Sequence, residues 1–171
     1  MSNAQQISSM DFEKMGVFCQ ALCRATKSSR RVGYNRAMQI DEPRHPLTPY
    51  DLAGGEPIVR KLVGRFYDLM DEDPDFYGIR KLHPPTLDVS REKLFKFLMG
   101  WLGGPPLYEH EYGHSRLRAR HLPFSIASTE RDQWMSCMSK AMADVGLDES
   151  LRKRLVQSFF QTADWMRNTE G

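Results

Sequence analysis

Apolar residues repeat with the period of an α-helix along most of the chain after residue 47. A first stripe begins after Pro57 and ends before Pro74. Pro57 would stand in the first turn of a helix, where proline is tolerated. A second stripe, between residues 90 and 102, follows the spacing i, i+3, i+4, i+7 and i+8 and stops at a Gly-Gly-Pro-Pro run. The pattern predicts two amphipathic helices.

Two further helices are predicted in the C-terminal part of the chain. One begins near Ser128, because the acidic residues that follow favour a helix N-terminus, and ends at Gly146. The other follows Asp148 and carries apolar residues on one face as far as Met166. No segment alternates apolar and polar residues with the period of two expected of a half-buried strand. The predicted fold class is all-α.

Residues 1–46 differ in character from the rest. They combine a polar start, a weakly amphipathic stretch at residues 10–24, a basic run at residues 27–31 and a linker that ends at Pro46. A chain of 171 residues is long enough for one domain and short for two. The sequence therefore predicts an N-terminal extension of unknown role, residues 1–46, and one domain, residues 47–171.

Charge and cysteine content exclude several classes of protein. The formal net charge is +2 with both signs mixed along the chain, which gives no strong field for nucleic acid or an anionic membrane. No apolar run approaches the roughly 18 residues of a membrane-spanning helix, and no signal-peptide core is visible. Three cysteines without a C-x-x-C pair argue against a disulfide framework. We expect a cytoplasmic protein.

Three of the five histidines lie between residues 103 and 124, and this stretch carries the candidate metal chemistry. His110, Glu111 and His114 match the H-E-x-x-H pattern, in which two histidines one helical turn apart bind zinc and the glutamate acts as general base. The nearby Gly-Gly-Pro-Pro run and Gly113 inside the motif oppose the continuous helix that this chemistry requires. A zinc hydrolase is the alternative that the pattern leaves open.

His121 has a different setting. His114, Leu117 and His121 have the spacing i, i+3 and i+7, so a short helix would place them on one inward face before Leu-Pro-Phe ends it. A lone histidine at a helix end is more often a structural residue. In an all-helical domain rich in aromatic residues, it also suits a flat apolar cofactor such as haem, held through one axial imidazole.

Several motifs together resemble a truncated haemoglobin of group II. They are Phe66-Tyr67, Leu82-His83-Pro84, Phe97-Leu98, residues 102–105, Tyr108, Gly113-His114, residues 117–124 and residues 131–134. The resemblance covers about residues 48–168. It implies a two-over-two sandwich of helices around a single haem b.

The resemblance assigns roles to residues on the two faces of that haem. Matched by motif, His121 is the proximal ligand of the iron. The polar residues of the distal face are Tyr67, His83 and Trp134, and each can donate a hydrogen bond, from a phenol, an imidazole or an indole. The family more often has Tyr or Phe where His83 stands, so this chain would have a titratable group beside the ligand.

The remaining implied contacts complete the pocket. Ser90 would leave space for ligand entry on the distal face, and Leu94 would form its apolar wall. Cations at the rim suit the haem propionates, although a solvated surface explains the same residues, and aromatic rings would enclose the macrocycle. The residues in these roles are Lys93, His114, Arg118, Phe97 and Phe124.

The implied function is reversible binding of dioxygen and other diatomic ligands at a five-coordinate iron. Each aligned donor would stabilise a partly negative ligand by roughly 1–3 kcal/mol, and slow release suits reaction or sensing better than bulk transport. Nitric oxide, carbon monoxide and peroxide are further expected ligands, and a peroxidase or nitric oxide dioxygenase is the alternative on the same haem. The reductase is unidentified, and the choice between monomer and homodimer stays open.

Overall fold

Helices form all of the regular structure in residues 46–170, the part of the chain that the computed structural model describes. No strand and no helix suited to crossing a bilayer occurs in this part, and the all-α prediction is confirmed. The expectations for residues 10–24 and residues 27–31 concern residues outside it. The helices are α1 (Pro49–Ala53), α2 (Glu56–Glu72), α3 (Tyr77–Arg80), α4 (Asp88–Trp101), α5 (Leu107–Tyr112), α6 (Leu117–His121), α7 (Ser128–Asp144) and α8 (Glu149–Met166).

The long helices begin and end near the predicted positions because local capping favours these bounds. The Asp148 carboxylate accepts hydrogen bonds from the backbone N–H groups of Ser150 and Leu151, at 2.9 and 3.2 Å. It thereby satisfies two of the donors that α8 leaves unpaired at its start. At the start of α7 the Glu130 carboxylate accepts a hydrogen bond from the backbone N–H of Ala127, at 2.9 Å.

The long helices pack as two pairs, one pair over the other. α2 packs against α4 and also against α7, and α7 packs against α8. Each of the four contributes side chains that are almost fully inaccessible to solvent, among them Phe66, Leu98, Met138 and Phe159. Burial of one side chain of this size contributes roughly 1.5–3 kcal/mol, so this shared core fixes the frame on which the shorter helices lie.

The short helix α3 follows a 3-10 turn at Pro74–Phe76 and is held by α7. The backbone N–H of Ile79 donates to Oε1 of Gln133, at 3.1 Å. A Cβ atom on Gly78 would lie only 2.4 Å from that same oxygen, so a larger residue here would displace the Gln133 side chain. This contact fixes the start of the loop that carries His83.

Candidate functional site

His121 is the last residue of α6, and a hydrogen bond within that helix orients its ring. Its Nδ1 lies 2.7 Å from the carbonyl oxygen of Leu117, four residues earlier. Because a carbonyl oxygen only accepts hydrogen bonds, Nδ1 carries the proton, and the neutral ring has its lone pair on Nε2. A metal-ligating histidine is typically held in this way.

A hydrogen bond of the same kind holds His83 in the loop after α3. Its Nδ1 lies 2.8 Å from the carbonyl oxygen of Ile79, again four residues earlier. The proton of the neutral ring is therefore on Nδ1, and Nε2 accepts a hydrogen bond instead of donating one. The N–H group that neutral His83 was expected to offer to a ligand thus already donates to the Ile79 carbonyl oxygen. Nε2 donates only when the ring is protonated.

The surroundings of His83 favour its neutral form. Burial lowers the pKa of the imidazole below its ordinary value, and the charge of Arg80 and the nearby His121 lower it further, while the hydrogen bond to Ile79 opposes this change. His121 thus contributes to the electrostatic surroundings of His83.

Tyr67 of α2 lies beside His83. Its ring is 4% exposed, and the centroids of the two rings are 5.7 Å apart with the planes nearly perpendicular. Burial raises the pKa of the phenol, and the charge of Arg91 and a side-chain hydrogen bond with Ser90 oppose the rise. Tyr67 therefore keeps its proton, so its O–H is a hydrogen-bond donor in this part of the interior.

Trp134 and two residues of α4 pack against the hydrophobic core. The half-buried Trp134 ring has its centroid 5.5 Å from that of Phe66 and 5.6 Å from that of Phe159. Leu94 and Phe97 are half-buried and pack against the core. Each of these side chains has part of its surface covered by the core and part accessible to solvent.

A charged pair that the sequence reasoning missed holds α2 and α4 together beside Tyr67 and Ser90. Arg91 donates to the carbonyl oxygen of Gly64 at 2.7 Å and to the Asp68 carboxylate at 2.6 Å. Arg91 follows Ser90, and Asp68 follows Tyr67, so the opposite charges next to two predicted site residues were a usable signal. The pair fixes the distance between the helices that carry the phenol and the serine hydroxyl.

The H-E-x-x-H pattern does not lie on one helix. α5 ends at Tyr112, and Gly113 follows with a φ of 69°, so His110 and His114 do not share a helical face. Glu111 forms an ion pair with Lys96, which holds the pKa of the carboxyl below its usual range and makes it a poor general base. In residues 46–170 no cluster of metal-binding side chains has three or more members. The structure does not support the zinc hypothesis.

The expectation that His114 shares a helix face with Leu117 and His121 is wrong. α6 begins at Leu117 because Arg116 takes a left-handed conformation with a φ of 42°, and His114 lies in the preceding turn. Its exposed ring instead accepts a hydrogen bond at Nδ1 from the backbone N–H of Arg116, at 3.1 Å.

The other predicted pocket contacts lie in different places. Lys93 is exposed on α4, with Nζ 5.8 Å from the centroid of the Tyr112 ring. Arg118 directs its guanidinium to the carbonyl oxygens of Trp165 and Arg167 at the end of α8. Phe124 follows α6 and is 42% exposed. Contacts between these residues and haem stay predictions.

The chain resembles known proteins over this domain. A model of the bacterial-like globin family matches residues 48–168. The group 2 truncated hemoglobin YjbI of Bacillus subtilis (strain 168) is 42% identical over 120 residues, which are 70% of this chain and 88% of that protein.

Solved structures show the same similarity. The cold-adapted truncated hemoglobin from the Antarctic marine bacterium Pseudoalteromonas haloplanktis is 44% identical, with a TM-score of 0.70, and the match covers 72% of this chain and 99% of that chain. The truncated oxygen-avid haemoglobin from Bacillus subtilis is 41% identical, with a TM-score of 0.65, and the match covers 71% of this chain and 100% of that chain.

Proposed function

We propose a function from the premise that this chain belongs to the bacterial-like globin family and has the two-over-two fold of the truncated haemoglobins. In this proposal the protein binds haem b through Nε2 of His121 and retains a diatomic ligand. Family membership implies a haem cofactor and gaseous ligands such as dioxygen. The assignment of His121 and of the distal residues is the part that goes beyond membership.

The observation that carries the proposal is the hydrogen bond between Nδ1 of His121 and the Leu117 carbonyl oxygen, at 2.7 Å. It fixes the tautomer, leaves the Nε2 lone pair for a metal, and makes the imidazole a stronger ligand. One imidazole with a lone pair available on Nε2 suits haem, which brings four of its own nitrogen ligands and needs only an axial one. When bound, haem supplies an iron with an open position for a diatomic gas.

The residues proposed for the distal face of the haem would hold the ligand. Burial keeps the Tyr67 phenol protonated, and a phenol O–H can donate to the ligand. The Trp134 indole is a second donor, since an indole N–H can only donate. Neutral His83 offers an acceptor at Nε2, and its protonation would convert that atom to a donor.

Two donors of this kind make ligand release slow. If each contributes about 1.4 kcal/mol, together they slow release by roughly a hundredfold. A protein that releases its ligand so slowly suits redox chemistry with dioxygen, nitric oxide or peroxide, or sensing, better than transport. The related truncated haemoglobin from Bacillus subtilis is oxygen-avid, which agrees with this proposal.

The decisive experiment replaces His121 with Ala and reconstitutes the protein with haem. We expect the variant to lose the intense Soret absorption of bound haem and to regain it when imidazole in the buffer replaces the missing side chain. His110→Ala is the matched control, because His110 is exposed on α5, and it should bind haem like the wild type. Equal haem retention by His121→Ala and the wild type would overturn the proposal.

A second experiment separates binding from catalysis. The haem-loaded protein is mixed with peroxide or nitric oxide, and a chemical reductant replaces the unidentified reductase. Repeated turnover would assign an enzyme, either a peroxidase or a nitric oxide dioxygenase, whereas a single stoichiometric reaction would assign ligand binding or sensing.

A further inference from the structure

The helix that carries His121 is too short to hold its own position. α6 spans only Leu117–His121, and an isolated helix needs roughly 12–15 residues to be marginally stable in water. Its last carbonyl groups also have no partners within the helix. Contacts with other parts of the chain must therefore fix where the imidazole lies.

Arg118 supplies one of these contacts from the side of α6. Its guanidinium donates to the carbonyl oxygen of Trp165 and to that of Arg167, the latter at 3.3 Å. The guanidinium carbon also lies 5.5 Å from the centroid of the Trp165 ring, within the range of a cation–π interaction. α6 is thus joined to the end of α8.

Asn168 supplies the contacts at the end of α6. Its side-chain Nδ2 donates to the carbonyl oxygen of His121 at 3.2 Å and to that of Phe124 at 2.8 Å. Its Oδ1 accepts from the backbone N–H of Ile126 at 3.1 Å, and its own backbone N–H donates to the Ile126 carbonyl oxygen at 3.0 Å. One half-buried amide therefore pairs with three backbone groups, and one of them belongs to the candidate ligand itself.

The segment that holds α6 is itself fixed to the frame of the domain. Asp164 accepts from the guanidinium of Arg131 at 2.5 Å and from that of Arg167 at 3.1 Å. Arg131 lies in the first turn of α7, whose core side chains are fully buried. Residues 164–169, called the C-terminal segment below, thus connect the first turn of α7 to the end of α6.

We propose that the C-terminal segment sets the position of the His121 imidazole, with Asn168 as the positioning residue. Its two donated hydrogen bonds fix the carbonyl oxygens of His121 and Phe124, and the bond from Nδ1 to Leu117 then fixes the ring relative to that backbone. The direction of Nε2, and with it the strength of its bond to iron, depends on the C-terminal segment. The proposal rests on the proposed binding of haem by His121.

The test compares variants of the haem-loaded full chain by resonance Raman spectroscopy of the reduced, unliganded protein. The readout is the stretching band of the bond between iron and histidine, which a general loss of stability does not move. Asn168→Ala removes both donors without adding charge, and Asn168→Asp keeps the acceptor for Ile126. The control is Thr169→Val, which removes only the 3.5 Å contact between the hydroxyls of Ser125 and Thr169.

We expect the band to shift and broaden in both Asn168 variants and to stay unchanged in Thr169→Val. Transfer of haem to excess apomyoglobin should be at least roughly fivefold faster in Asn168→Ala, since even one of the hydrogen bonds it removes corresponds to a factor of that size. A wild-type band retained in both Asn168 variants overturns this inference alone. Absence of any iron–histidine band from the wild type overturns the proposed function and this inference with it.

Discussion

Replacement of Tyr67 by Phe removes one hydroxyl from the distal site and keeps the buried ring. Burial keeps the phenol protonated, so the substitution removes a hydrogen-bond donor that a bound ligand would otherwise have. A hydrogen bond to a partly charged group in a dry site contributes about 2 kcal/mol, which corresponds to a roughly 30-fold faster dissociation of dioxygen. Because the ring keeps its contacts with Phe66 and His83, the fold should be retained.

Stopped-flow mixing of the oxygenated protein with carbon monoxide measures this dissociation rate. Tyr50→Phe is the matched control. The Tyr50 hydroxyl accepts a hydrogen bond from the backbone N–H of Glu56 at 3.1 Å, so its removal costs about 1 kcal/mol of stability and leaves the dissociation rate unchanged. Equal dissociation rates in the wild type and Tyr67→Phe would refute the reasoning, because the phenol would then make no bond to the ligand.

Two further predictions concern buried titratable groups. The folded-state pKa of His83 is lowered, so the unfolded chain binds the proton first as pH falls below about 6.5, and stability is lost down to the folded-state pKa. The test compares the urea midpoints of the haem-free protein at pH 7.5 and pH 5.5, about one unit on either side of the ordinary histidine pKa. The midpoint should fall less between these two pH values in His83→Phe than in the wild type, and an equal fall contradicts this. Burial raises the pKa of the Cys137 thiol to about 12, and its side chain is inaccessible. Alkylation mapped by mass spectrometry should therefore leave Cys137 unmodified until urea is added, and rapid native modification would contradict its burial.

The long helices were predictable because each buries one apolar stripe over several turns. α2, α4, α7 and α8 repeat the period often enough for the pattern to exceed chance. α6 has only five residues, and its first residue depends on the left-handed backbone of Arg116, which no apolar pattern encodes. The predicted face of His114, Leu117 and His121 was wrong for this reason.

The residues of the proposed site could be named from the sequence, but their hydrogen bonds could not. His121 followed from the motif at residues 117–124, and the Leu117 carbonyl lies within the same helix. Asn168 lies 47 positions from His121, and no local pattern connects the two. The proton position of His83 likewise depends on the Ile79 carbonyl, so the sequence indicated a donor where the structure has an acceptor.

The most direct test of haem binding is the absorption spectrum of the purified protein, recorded with and without carbon monoxide and combined with analysis of its metal content. We expect an intense Soret band that shifts when carbon monoxide is added, together with iron equimolar with the chain. Stoichiometric zinc without a Soret band would contradict the central claim that His121 holds haem iron.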